Sequence, residues 1–277
     1  MFTLAKNSLA FEIKDRVYGS QDKGISPKGA TDQLSFKTAK VLLGEPEAFI
    51  CYEIIFSTGI TFEQACVFTL TGAHYQEMFL HSKEETSSLK HATVYRAQKG
   101  DFISLHQLSK GFRLYLMASS SPKSFKAEGL QRGEFSKYFS KSPSHIRLIK
   151  GPEFHYLKEP DNFFQNTFVI SRDSNLIGLK LISESIPATH FDIISSFVND
   201  GTIQLSKDGP IVLLRHRQTT GGYPRIFSVI AADLDTLAQY PLETHIHFKL
   251  IDISEAKTLL LQKEKEFHNF RNAFLDL

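Results

Sequence analysis

The most distinctive run in the chain is Arg217-Gln218-Thr219-Thr220-Gly221-Gly222-Tyr223-Pro224-Arg225. Two adjacent glycines permit positive φ and let a ligand approach the backbone closely. Their amides, with the Thr219 and Thr220 hydroxyls, can donate to an anionic or carbonyl oxygen. Arg217 and Arg225 suit a carboxylate or phosphate, whose oxygens match the guanidinium fork. The same run also reads as a strand–loop–strand turn whose Tyr223 plugs a core. A second cluster, Gly24-Ile25-Ser26-Pro27-Lys28-Gly29-Ala30-Thr31-Asp32, forms a tight loop that enters a helix. Lys28 and Asp32 are its candidate binding residues, because a helix N-terminus favours anions. Simple capping by Asp32 explains that acid equally well.

Other chemistry has weaker support. His245 and His247 alternate on one strand face without an evident third ligand, so no metal site is expected. Ser26, Ser183 and Ser185 lack the GxSxG setting of a serine nucleophile. No GxxxxGK[ST] or GxGxxG loop is present, so no cofactor is expected to bind this chain through a recognisable motif. The residue pattern alone names no catalytic residue.

The elements that must position these groups are short β-branched and aromatic runs. They include Leu9–Ile13, Glu53–Phe56, Cys66–Leu70, Ile146–Ile149, Phe168–Ile170, Leu179–Ile182, Ile211–Leu214, Ile226–Ile230 and His245–Leu250. Turn residues such as Lys99-Gly100-Asp101 and Lys207-Asp208-Gly209-Pro210 punctuate them. This texture predicts a mainly β (α+β) architecture and argues against a Rossmann-type sheet. Two helices are expected. One is capped by Thr31 or Asp32, carries Leu34, Thr38, Val41 and Leu42, and stops at Gly44 and Pro46. The other is capped by Ser254 and places Ala256, Leu260, Phe267, Phe270 and Phe274 near one stripe. The stretch from Ala118 to Ser144 is rich in Lys, Ser and Gly, which divides the chain into lobes 1–144 and 145–277.

Hydrophobic residues make up 42% and charged residues 22%, which permits a sizeable core and excludes wholesale disorder. A net charge of +2 is too small to point to nucleic acid. Cys51 and Cys66 sit in apolar runs outside any CxxC pair and read as buried reduced thiols. The start, Met1 to Lys6, lacks the apolar stretch of a signal peptide, and no run is long and apolar enough to span a membrane. A cytoplasmic location is the resulting expectation.

Several stretches together resemble the family of allophanate hydrolase subunit 2, also described as carboxyltransferase subdomain A and B. They are Gly24–Asp32 with the helix to Glu47, Tyr52-Glu53, Leu70–Ala73, Ile146–Pro152, Ser174–Gly178, Ser183-Glu184, Asp200–Gln204, Gln218–Arg225 and Ala232–Leu234. The family includes the C-type component of 5-oxoprolinase, the regulator KipA and half of the carboxyltransferase domain of urea carboxylase. The resemblance implies a two-lobed fold of cyclophilin-like β-barrel halves. It also implies a partner of the subunit-1 type, homologous to KipI or carboxyltransferase subdomains C and D, and a lactam-hydrolase subunit. The implied chemistry is ATP-dependent opening of 5-oxoproline to glutamate. The alternatives are carboxyl transfer from carboxybiotin to urea, or a KipA-like role without catalysis. ATP and biotin would then be held by partner subunits. Members usually carry a longer TVQDLGRPG-like segment where this chain has Val17–Gly24, and a GSRST-like run that Ala118–Pro122 does not match.

Overall fold

A computed structural model describes residues 1–120, 139 and 142–275. Taken over those residues, the chain forms two compact units. The first comprises Met1–Lys14, Asp32–Ser140 and Glu264–Leu277; the second comprises Asp15–Thr31 and Lys141–Lys263. They differ from a single cut at 144/145 by two exchanged segments. Residues 15–31 are held in the second unit by the ion pair between Arg16 and Asp200 and by hydrogen bonds from Arg215 and His216. The C-terminal residues are held in the first by Phe267, Phe270 and Phe274, which pack with Val41 and Leu42. Most of the expected divider Ala118–Ser144 lies outside the described residues.

The first unit is built on strands β1 (Phe2–Leu4), β2 (Leu9–Ile13), β3 (Ile50–Phe56), β4 (Gly59–Phe62), β5 (Cys66–His81), β6 (Thr86–Ser88), β7 (Val94–Ala97) and β8 (Phe102–Ser119), with helix α1 (Gln33–Leu42). They form one sheet, ordered β1-β4-β8-β3-β2, with β5 along β8. β5 and β8 pair from Val67↔Ser119 to His81↔Phe102, with register shifts between Gly72 and Tyr75. Bulges of this kind bend a long strand and let one sheet curl over its own core. That core contains Ile54, Phe62, Phe68, Leu70, Leu114 and Leu116. Asp32 caps α1 as expected, and Gly44, at φ 71°, follows its end. Cys51 and Cys66 are buried free thiols, and burial pushes the Cys66 thiol up to about 11.

The second unit contains β9 (Ile146–Lys150), α2 (Pro160–Gln165), β10 (Phe168–Ile170), β11 (Gly178–Ile182), β12 (Ser196–Phe197), β13 (Thr202–Ser206), β14 (Gly209–Leu213), β15 (Thr220–Gly221), β16 (Arg225–Val229), α3 (Leu234–Ala238), β17 (His245–Ile246) and β18 (Phe248–Leu250). Its sheet runs β17-β10-β11-β14-β13-β16-β9-β18, while β12 and β15 form a separate two-stranded ribbon. Phe163, Phe168, Phe227 and Phe248 make a ring cluster at the centre of its core. Helix α4 (Ile253–Leu275) follows. Its cap is Asp252, whose Oδ1 accepts from Glu255 N at 2.8 Å, and not Ser254.

The architecture is therefore mainly β, with curled, barrel-like sheets and few helices. The expected run His245–Leu250 is interrupted at His247. Among the described residues no helix is long and apolar enough to cross a membrane.

Candidate functional site

The loop from Arg215 to Pro224 connects β14 to β16 by way of the ribbon. β15 pairs with β12 through Ser196↔Gly221 and Phe197↔Thr220. Val198 N donates to Thr219 O at 3.1 Å, and Ile193 N donates to Gly222 O at 2.8 Å. From below, Gln204 of β13, 2% exposed, donates its Nε2 to Tyr223 O at 3.3 Å. Its Oε1 accepts from Gln218 Nε2 at 3.4 Å. The loop is thus fastened from both sides, while Gln218, Thr220 and Tyr223 remain exposed. Tyr223 does not plug a core.

The glycines serve a purpose other than the one expected. Neither Gly221 nor Gly222 has positive φ. A Cβ on Gly221 would lie 2.4 Å from Gln204 Nε2, so this glycine admits the buried amide. A Cβ on Gly222 would meet nothing nearer than Ile193 O at 3.6 Å. Among the described residues, Gln218, Thr219, Gly222 and Tyr223 donate their backbone N–H to no acceptor, and the Thr219 and Thr220 hydroxyls make no hydrogen bond. These donors are unclaimed.

The two arginines occupy different settings. Arg225 grips Glu153 with both arms, Nε to Oε2 at 2.8 Å and Nη2 to Oε1 at 2.7 Å, and its Nη1 donates to Phe197 O at 2.8 Å. Hydrogen bonds from Arg225 hold the Glu153 carboxyl below its ordinary range, against the opposing effect of burial. Arg225 therefore positions the ribbon and does not present a free fork. Arg217, 7% exposed, places Nε 2.9 Å from Asp200 Oδ1 and donates Nη1 to Gln218 O at 3.0 Å. Asp200 also meets Arg16, Nη1 to Oδ2 at 2.7 Å. The 2.9 Å contact is an ion pair without hydrogen-bond alignment, so both of its atoms lack a hydrogen-bond partner despite being buried.

The Gly24–Thr31 loop belongs to the same unit and meets the residues that lead into this run. His216 Nε2 donates to Gly29 O at 2.9 Å, and Arg215 Nη1 donates to Thr31 O. Lys28 has φ 50° and Gly29 φ 84°, two successive left-handed residues. Lys28 is exposed and forms no ion pair among the described residues. Asp32 is different. It lies in the first unit, 3% exposed, and its carboxylate accepts from Ser35 N at 3.0 Å and Ser35 Oγ at 2.5 Å. Its own N–H donates to Tyr115 Oη at 2.8 Å. Helix capping accounts for this acid.

The residues that sequence reasoning passes over are Arg16, Glu153, Asp200, Gln204 and His216. Asp200 and Gln204 lie inside a stretch that carries the family resemblance, which is the available signal; Arg16 has none. Among the described residues no group of three His, Cys, Asp or Glu side chains could hold a metal ion.

Residues 23–123 and 119–250 match the family described as carboxyltransferase domain, subdomain A and B. The chain belongs to this family. Within it, the chain is similar to the C-type component of 5-oxoprolinase from Escherichia coli strain K12, with 27% identity over 286 residues, 90% of this chain and 91% of that protein. The corresponding 5-oxoprolinase component of Haemophilus influenzae is likewise 27% identical over 283 residues, covering 89% and 90%. Among solved structures, the urea amidolyase and urea carboxylase of Kluyveromyces lactis each superpose over 97% of this chain with a TM-score of 0.80 and 17% identity. This carboxyltransferase-family chain spans 20% and 29% of those longer polypeptides, and the likeness is one of fold.

Proposed function

We propose that the chain is a subunit of a 5-oxoprolinase-type enzyme that opens the lactam of 5-oxoproline to glutamate with consumption of ATP. The observation that carries this reading is the match to the C-type component of 5-oxoprolinase over about nine-tenths of both chains. ATP is assigned to partner subunits, of the subunit-1 type and a lactam hydrolase, because this chain has no phosphate-cradling glycine loop. Opening a lactam concentrates negative charge on its carbonyl oxygen. Preorganised donors aimed at that oxygen are the usual means of stabilising it. The exposed Thr220 hydroxyl, the backbone N–H groups of Gln218, Gly222 and Tyr223, and the Lys28 ammonium are among the unclaimed donors. Gln204 and the pair of Arg225 with Glu153 hold the loop that carries the first four, and Lys28 lies on the Gly24–Thr31 loop.

The fold of the Kluyveromyces lactis enzymes favours a second reading, a carboxyltransferase component acting on urea or a related amide. Affinity purification of the chain with its partners, followed by assay of the intact complex, separates the two. ATP hydrolysis that depends on 5-oxoproline supports the first reading. Urea-dependent turnover that requires a biotinylated partner supports the second and overturns the first.

A further inference from the structure

Two guanidiniums share one carboxylate beside the loop. Arg16 and Arg217 both contact Asp200, which leaves one positive charge uncompensated in the cluster. Arg217 is 7% exposed, and the Arg16 side chain 11%. Taking charge out of water is costly unless it is paired and hydrogen-bonded. This cluster is incompletely satisfied, because Arg16 Nε, Arg217 Nε and Asp200 Oδ1 are all buried without a hydrogen-bond partner. Each such group in a folded protein calls for a reason. Arg217 Nη2 makes no hydrogen bond among the described residues and is not among the atoms closed off from solvent. The guanidinium carbon of Arg16 lies 5.4 Å from the centroid of the Tyr18 ring, a cation–π contact.

We infer that Arg16 and Arg217, oriented by Asp200, form a carboxylate-binding subsite adjoining Gln218. One surplus positive charge balances a monoanion, whereas a phosphate dianion would leave the cluster over-compensated. A planar carboxylate also fits the edge of a single guanidinium. Asp200 is a positioning residue, since it contacts both arginines and would repel an anion directly. Arg225 is excluded from the subsite because Glu153 and Phe197 O occupy its donors. The inference rests on the proposed function in one respect: 5-oxoproline is a monoanionic carboxylate, and the subsite would hold that carboxylate, which is borne on the carbon next to the lactam nitrogen.

The test uses the isolated full chain labelled uniformly with 15N. Its buried Nε–H signals are assigned with the Arg16→Gln and Arg217→Gln variants and followed by NMR. Formate, 5-oxoproline, 2-pyrrolidinone (the same lactam without the carboxylate) and inorganic phosphate are titrated separately. The expected result is that formate and 5-oxoproline shift both signals, 2-pyrrolidinone does not, and phosphate binds more weakly. Arg16→Gln should weaken 5-oxoproline binding at least ten-fold while the backbone amide signals away from residues 15–31 and Asp200 keep their parent positions. Shifts with formate but not with 5-oxoproline would uphold the subsite and overturn the proposed substrate. Perturbation of the Gly222 and Tyr223 amides by 5-oxoproline and 2-pyrrolidinone, with the arginine signals unmoved by any carboxylate, would uphold the substrate and overturn the subsite. Phosphate binding tighter than carboxylate would overturn the carboxylate assignment.

Discussion

Lys28 combines strain with an idle charge. Its φ of 50° is uncommon for a residue with a side chain, and the exposed ammonium forms no ion pair in return. Relief of that strain exceeds the entropy that glycine loses on folding. Lys28→Gly should therefore stabilise the chain by roughly 0.5–1 kcal/mol in denaturant unfolding. The same variant should lower the activity of the assembled complex at least ten-fold, and full activity would show that the ammonium takes no part. The two glycines should also separate. Gly221→Ala forces the 2%-exposed Gln204 to move and should cost about 1–3 kcal/mol. Gly222→Ala meets only ordinary contacts and should stay within about 0.5 kcal/mol of the parent. At this scale the sequence singles out the loop but does not reveal how its parts are held. The glycines suggest positive φ, and only the fold reveals that a side chain from β13 fills the space at Gly221. The arginines read as free forks, because nothing local announces that Glu153 and Asp200 approach from elsewhere in the chain.

At the scale of elements, α1 is fastened to its sheet by a buried polar chain. Arg113 Nε donates to Glu53 Oε1 at 3.0 Å, Tyr115 Oη donates to Glu53 Oε2 at 2.8 Å, and Asp32 N donates to the same phenol. Glu53 and Tyr115 are both 0% exposed. Burial first, then the nearby Glu53 and Asp32 charges, raise the Tyr115 phenol well above its ordinary value. Tyr115→Phe would remove the hydrogen bond to the buried Glu53 carboxylate and the one from the Asp32 amide and should cost about 2–4 kcal/mol by denaturant unfolding. The pair of Glu153 with Arg225 ties the start of β16 to the turn after β9. The folded-state pKa of Glu153 is depressed below 4.5, so its contribution is complete above that value and is lost as pH falls through the lower folded one. Stability measured against Glu153→Gln should therefore show a gap at neutral pH that closes in acid, and a gap that widens in acid would refute the pairing. Helix α1 and most strands are legible because their apolar spacing and stop signals are local. β8 is not, because its middle, from His106 to Ser109, is exposed on both faces and breaks the alternation.

At the scale of the molecule, composition and texture indicate a mainly β chain of two parts, and the run Gln218–Arg225 points to the family. The membership of residues 15–31 and 264–277 is hidden, because it depends on pairings between positions distant in sequence, such as Arg16 with Asp200 and Phe270 with Leu42. The sequence carries no nucleotide loop of the GxxxxGK[ST] or GxGxxG type, so on the proposed function turnover should require partners as well as this chain. The decisive measurement is ATP hydrolysis dependent on 5-oxoproline, assayed with the partner subunits alone, with this chain alone, and with all of them together. Turnover should arise in the complete mixture and in neither part. Full turnover by the partners without this chain, or by this chain without partners, would contradict its assignment as an obligatory 5-oxoprolinase subunit.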